Sequence, residues 1–125
     1  MFNRFGGQPG AKPGADVDPR SAQALIAEGA AIVDVREPAE FAAGAIKGSV
    51  NVPLGEVLAA GMAALERAGV HAGEHEIVLV CRSGKRSGQA CRALAGQLGA
   101  KAHNLAGGVI AWHAAGLPLW PSGRP

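Results

Sequence analysis

The most constraining feature of this chain is an uninterrupted apolar run, Ile77-Val78-Leu79-Val80, which follows Glu76 and passes directly into Cys81-Arg82-Ser83-Gly84-Lys85-Arg86-Ser87. A strand with no polar side has no face to give to water, so this one is expected in the middle of a parallel sheet, covered on both sides. The rest of the chain alternates in the same way. Asp18-Pro19 reads as an N-cap with proline at the first helical position, followed by Ala22, Leu25, Ile26 and a stop at Gly29. Ala31 to Val35 reads as a short strand, and Glu37-Pro38 opens a brief helical turn closed by Gly44. Ser49 to Val52 is a second strand, and a helix is predicted from about Gly55 to Arg67 with Leu58, Met62 and Leu65 on its apolar stripe. Ser87 to Leu98 is predicted as one helix with Ala90, Cys91, Leu94 and Leu98 inward. A strand from Ala102 to Leu105 and a helix from Gly107-Gly108 through Trp112 complete the pattern. Strand and helix in alternation predict an α/β fold with a parallel sheet and helices on both faces.

The 125 residues suit one domain. The apolar share is 48%, 26 of those residues being alanine, which supports one compact core and argues against disorder. The Gly- and Pro-rich residues 1–15 read as a flexible tail, 16–120 as the domain, and 121–125 as a loose end. A net charge of +2 and an aromatic share of 4% with no Tyr argue against nucleic-acid binding. No apolar run nears the roughly 18 residues of a membrane span, and the opening residues lack a secretory pattern, so a cytoplasmic location is expected.

In open α/β sheets, ligands sit at the carboxyl ends of strands, which directs attention to Cys81. A cysteine between a strand end and a helix start meets converging backbone N–H groups and the positive end of the helix dipole. Arg82, Lys85 and Arg86 surround it, and Gly84 permits the tight curl of an anion nest. These influences favour thiolate over thiol. The alternative is that Cys81 is a buried strand end with solvated cations around it. Cys91, on the stripe with Leu94 and Leu98, reads as core filler, and as a resolving thiol only if its helix turns that face to the loop. The histidines 71, 75, 103 and 113 show no ligand spacing with either cysteine, so no metal is expected; they read as surface or cap residues. Trp112 reads as a packing residue.

A thiolate in an anion cradle suits attack on a phosphoryl group or on a sulfane sulfur. The cysteine-phosphatase signature Cys-x5-Arg would need arginine at position 87, where Ser87 stands, with Arg86 one residue early. The shorter loop encloses less space and favours sulfur transfer. Asp34 and Arg36, ending the neighbouring strand, are expected to organise the edge of the site.

Three segments in register resemble a rhodanese domain. Ile32-Val33-Asp34-Val35-Arg36-Glu37 with Glu40-Phe41, then Gly44 to Ser49 and Asn51-Val52-Pro53-Leu54, resemble its amino-terminal signature. Val80 to Ser87 resembles its active-site loop, and Leu105-Ala106-Gly107-Gly108 with Trp112 and Gly116-Leu117-Pro118 resembles its carboxyl-terminal signature. One departure is Ala45, where the family often has histidine. The resemblance implies a rhodanese-like five-stranded parallel sheet and a persulfide-forming cysteine at Cys81.

It also implies a sulfurtransferase without cofactor. Such an enzyme moves a sulfane sulfur from thiosulfate or a low-molecular-weight persulfide to cyanide, a small thiol or a protein thiol. Arg82 and Lys85 would then attract and orient the donor, and backbone N–H groups from Ser83 to Ser87 would hold the persulfide charge. Arg86 would either touch the donor or pair with Glu37 or Glu40. Two other readings stay open: a sulfur-relay or binding module without turnover, and a small cysteine phosphatase or arsenate reductase.

Overall fold

The computed structural model describes residues 15–125. Five parallel strands form one sheet in the order β1-β5-β4-β2-β3, with β1 Ala15–Val17, β2 Ala31–Asp34, β3 Val50–Asn51, β4 Ile77–Val80 and β5 Ala102–Leu105. The helices are α1 Pro19–Ala27, α2 Pro38–Ala43, α3 Leu54–Ala60, α4 Met62–Arg67, α5 Lys85–Ala93, α6 Ala95–Leu98 and α7 Gly108–Ala114. The expected architecture of five parallel strands with helices on both faces is thus the observed one.

β4 lies at the centre, paired with β2 on one side and β5 on the other, and all four of its residues are fully buried. Successive side chains on a strand point to opposite faces. Ile77 and Leu79 therefore enter the layer formed with Val57, Met62, Leu65, Cys91, Leu94 and Leu98 from α3 to α6. Val78 and Val80 enter the other layer, with Ala22 and Leu25 of α1 and Val109 and Trp112 of α7. The apolar run is the shared wall of two cores, which is why it tolerates no polar residue. Trp112 packs in that second layer, and its indole N–H donates to the Pro118 carbonyl at 3.0 Å.

Several boundaries differ from the sequence reading, each for a local reason. The helix predicted over 55–67 is broken at Gly61, whose φ of 58° and ψ of −136° end α3 and begin α4. The break rotates the stripe: Val57 is buried, while Leu58 is 55% exposed. The helix predicted from Ser87 starts earlier, at Lys85, because Gly84 in the left-handed region serves as its N-cap. It divides at Leu94 into α5 and α6, and Gly99 opens a 3-10 turn rather than simply ending the helix.

Both presumed tails need correction. Residues 1–14 lie outside the described residues, but Ala15 is the first residue of β1 and pairs with His103. At the other end, residues 121–125 are not loose throughout. Pro121–Gly123 form a 3-10 turn, Trp120 bridges Ala45 in antiparallel fashion, and the Gly48 N–H donates to the buried Gly123 carbonyl at 3.2 Å. His103 is corrected too: it is buried, with Nε2 2.6 Å from Glu76 Oε1, whereas His71 and His113 are exposed.

Candidate active site

The loop after β4 is shaped from three directions. The first is the nest of its own backbone: Gly84, at φ 98°, turns its N–H toward Cys81 Sγ at 3.0 Å. The second is the start of α7, whose amides grip the loop from outside. Val109 N–H donates to the Cys81 carbonyl at 2.9 Å and Ile110 N–H to the Arg82 carbonyl at 3.2 Å. This approach requires glycine at 108, where an added Cβ would lie 2.3 Å from the Arg82 carbonyl oxygen and 2.4 Å from that of Cys81. The third is a buried polar group on β5, Asn104, whose side-chain N–H groups donate to the Gly84 carbonyl at 3.0 Å and to Asp16 Oδ1 at 2.8 Å.

Cys81 Sγ lies at the base of this cradle, with the residue only 1% exposed. Burial pushes its thiol up, but the Ser87 hydroxyl and the backbone N–H groups of Ser87, Gly84 and Ser83 together outweigh burial and leave it below the ordinary thiol value. The sequence reading gave the cationic side chains a share in this lowering. In the folded site the main influences are the hydroxyl and the backbone dipoles instead. Cys91 is the reverse case: buried in the apolar layer, its thiol is pushed up to about 12. Both cysteines are free thiols.

The predicted site residues separate into three groups. Arg82, Ser83 and Lys85 are exposed at the mouth of the loop, Gly84 is half-buried, and Ser87 is buried with Oγ 3.4 Å from Cys81 Sγ. Arg86 turns away to form a bidentate pair with Glu40 of α2, at 2.8 and 3.1 Å, so of its two readings the ion pair is the one found. That guanidinium holds the Glu40 carboxyl at about 2, well below the usual range. Asp34 and Arg36 form a buried fork-to-fork pair that does not reach the sulfur. Arg36 bonds both Asp34 oxygens and the Gly44 carbonyl, tying the end of β2 to the end of α2.

Two supporting residues escaped the sequence reading. Asn51 donates to the carbonyls of Asp34 (3.0 Å) and Arg36 (2.9 Å), locking the neighbouring strand end. Asn104 holds the Gly84 carbonyl, and the only available signal was a polar residue inside a strand otherwise expected to be apolar.

Two surface clefts lie elsewhere. One is at the amino end of the sheet beside Leu25, Glu28, Glu76 and Lys101; the other lies beside Phe41, Ser49, Asn51 and Arg124. Neither contains a cysteine, whereas the loop sets a cysteine sulfur among oriented donors, which makes the loop the candidate site. Among the described residues there is no cluster of His, Cys, Asp and Glu suited to holding a metal. No helix among them is long and apolar enough to cross a membrane.

Fold and loop together define a parallel α/β protein with a cysteine at a strand end, set among donors that favour its anion. A sequence profile described as the Rhodanese-like domain matches residues 18–115. A sulfurtransferase of Allochromatium vinosum is 35% identical over 106 residues, covering 83% of this chain and 92% of that protein. The chloroplastic thiosulfate sulfurtransferase 16 of Arabidopsis thaliana is 39% identical over 101 residues, covering 75% and 82%. Among solved structures, the human single-domain sulfurtransferase superposes with a TM-score of 0.66 at 30% identity, covering 79% of this chain and 95% of that one. The chain belongs to the rhodanese-like sulfurtransferase family.

Proposed function

We infer that the chain transfers a sulfane sulfur through a persulfide on Cys81, with thiosulfate or a low-molecular-weight persulfide as donor and a thiophile as acceptor. The observation that carries this reading is the Gly84 N–H set 3.0 Å from a buried Cys81 sulfur at the end of β4. The thiolate attacks the outer sulfur of thiosulfate; the new S–S bond forms as the bond to the sulfonate breaks, and sulfite leaves with the electron pair. A thiol, or cyanide in an assay, then attacks the terminal sulfur and regenerates the thiolate. The first half-reaction calls for no general base when Cys81 reacts as the thiolate, the form its oriented donors favour, because sulfite leaves as a stable anion. Arg82 and Lys85, free at the mouth of the loop, suit an anionic donor, while the N–H groups of Ser83 to Ser87 suit the charge on the terminal sulfur. The cation at Arg86 is engaged by Glu40, so donor attraction falls to the other two.

The test is mass spectrometry of the purified chain after exposure to thiosulfate. The expected result is a gain of one sulfur atom on Cys81 that cyanide removes as thiocyanate, with ping-pong kinetics in the steady state. Absence of any adduct with thiosulfate and with a small persulfide would end the proposal. An adduct that cyanide and thiols do not remove would instead identify a carrier without turnover.

A further inference from the structure

Behind Cys81 runs a chain of polar side chains that the transfer step does not use. Ser87 Oγ lies 3.4 Å from Cys81 Sγ and also bonds Asn104 Oδ1 at 2.5 Å; Asn104 Nδ2 in turn bonds Asp16 Oδ1 and the Gly84 carbonyl. Counting protons fixes the direction of these bonds. An amide nitrogen carries two protons, and here both go to groups that only accept, a carboxylate and a carbonyl. Reversing the amide would set its oxygen against those same acceptors, so Asn104 Oδ1 has to face Ser87. Since Oδ1 has no proton, the single hydroxyl proton of Ser87 belongs to Asn104, and the Ser87 lone pairs face the sulfur. A thiol satisfies that arrangement by donating its S–H to Ser87. A thiolate does not. It needs the hydroxyl proton for itself, and gaining it breaks the bond to Asn104.

We propose that Asn104 is a positioning residue for Cys81, holding the Ser87 hydroxyl as a two-position switch that points to Asn104 when the sulfur is uncharged and to Sγ when it is a thiolate. The consequence for catalysis rests on the sulfur-transfer reading. When the thiolate takes the outer sulfur of thiosulfate, its charge moves to the terminal sulfur, sulfite carries off its own two charges, and Sγ becomes a neutral bridge. The Ser87 proton then returns to Asn104. Asn104 therefore favours the loaded state over the bare thiolate, and Ser87 supports the attacking state.

Other charges near the sulfur are accounted for. Arg86 is paired with Glu40, and Asp34 with Arg36; Asp16 on β1 is held by the Asn104 side-chain N–H, and Arg82 and Lys85 stand at the exposed mouth. None of them changes partner when the hydroxyl turns.

The test is the pH midpoint of Cys81 alkylation by iodoacetamide in four proteins: wild type, Asn104→Ala, Ser87→Ala and the double variant. Asn104→Ala frees the hydroxyl for the sulfur and is expected to move the midpoint down by about half a pH unit or more. Ser87→Ala is expected to move it up, and the double variant to match Ser87→Ala. A merely structural role gives the opposite sign, because losing the hold on Gly84 draws its N–H from the sulfur. An upward or absent shift in Asn104→Ala overturns the proposal, and so does a downward shift that persists without Ser87.

Should Asn104→Ala fail to fold, the Raman S–H stretch of wild type decides, taken as a difference from Cys81→Ser. A lowered frequency that rises in Ser87→Ala marks a thiol donating to Ser87; a free-thiol frequency in wild type refutes it. Neither measurement uses a sulfur donor. Failure of Cys81 to load sulfur would remove the transfer reading and leave this titration standing, while an unshifted midpoint with normal loading would do the reverse.

Discussion

Cys81 and Cys91 share one apolar layer, are both almost fully shielded from water, and have opposite chemistry. The difference lies in the backbone around them. Cys91 sits inside α5, where the helix's own ladder consumes every nearby N–H, so burial, joined by the negative charge of Asp16 and only partly offset by Arg92, holds the thiol protonated. Cys81 sits where a strand has ended and a helix has just begun, and there the N–H groups have no ladder partner. Both are shielded from water, but at Cys81 oriented donors are added, and they outweigh the effect of burial. A reactive cysteine thus owes its reactivity less to exposure or nearby cations than to the point in a secondary-structure transition at which it falls.

The sharpest way to break this contrast is to exchange the two roles. Cys81→Ser is expected to lower sulfur transfer by at least about a thousandfold with an unchanged circular dichroism spectrum. Cys91→Ala should keep transfer within roughly threefold while costing about 1–2 kcal/mol in denaturant unfolding. Transfer surviving the first change, or vanishing with the second in a folded protein, would invert the assignment.

Chemical labelling gives the next largest effect. At pH 7.5 iodoacetamide should modify Cys81 at least about a hundred times faster than Cys91 in the native chain, because donors aimed at Sγ favour the Cys81 thiolate while burial holds the Cys91 thiol protonated. In denaturant the two rates should converge; peptide mapping reads both.

Gly108→Ala sharpens the comparison from the α7 side. Its Cβ would collide with the Arg82 and Cys81 carbonyls, so the loop must move. We expect Cys81 alkylation at neutral pH to slow by about tenfold or more and unfolding to become easier by roughly 1–3 kcal/mol, with Cys91 unaffected.

The smallest effect belongs to the rim. Glu40→Gln removes a half-exposed ion pair and should cost no more than about 1 kcal/mol at pH 7. The folded Glu40 carboxyl is depressed to about 2 from 4.5, so its stabilisation is fully present above 4.5 and is lost as pH falls through 2. The gap between wild type and Glu40→Gln should therefore close over that window in urea titrations at a series of pH values.

How much of this was legible in the sequence depends on how local the cause is. β4, its loop and Cys81 are written in a contiguous stretch, an apolar run and then a basic turn with one glycine, so the place of the cradle could be read there. The alternation of the other elements fixed the fold class in the same way. What stayed hidden depends on distant partners. β1 is three residues, Ala15-Asp16-Val17, with a carboxylate in the middle, and is a strand only because β5 pairs with it. His103 looks like any surface histidine until the sheet buries it against Glu76. Asn104 gains its meaning from Ser87 and Asp16, which lie 17 and 88 positions away. Arg86 stands undecided in the sequence between the donor and an acid at Glu37 or Glu40, and only the packing of α2 beside the loop settles where its guanidinium goes.

The outermost strands of the sheet, β1 and β3, have three and two residues. A longer rim would present a row of unpaired amide and carbonyl groups on which a second molecule could lay down a strand of its own. Beside β3, the Pro121–Gly123 turn is tied to the preceding loop by the Gly48 N–H bond to the Gly123 carbonyl, and a Cβ added at Gly123 would lie 3.0 Å from the Ile46 carbonyl oxygen. The described residues thus offer little template for edge-wise polymerisation at either rim of the sheet.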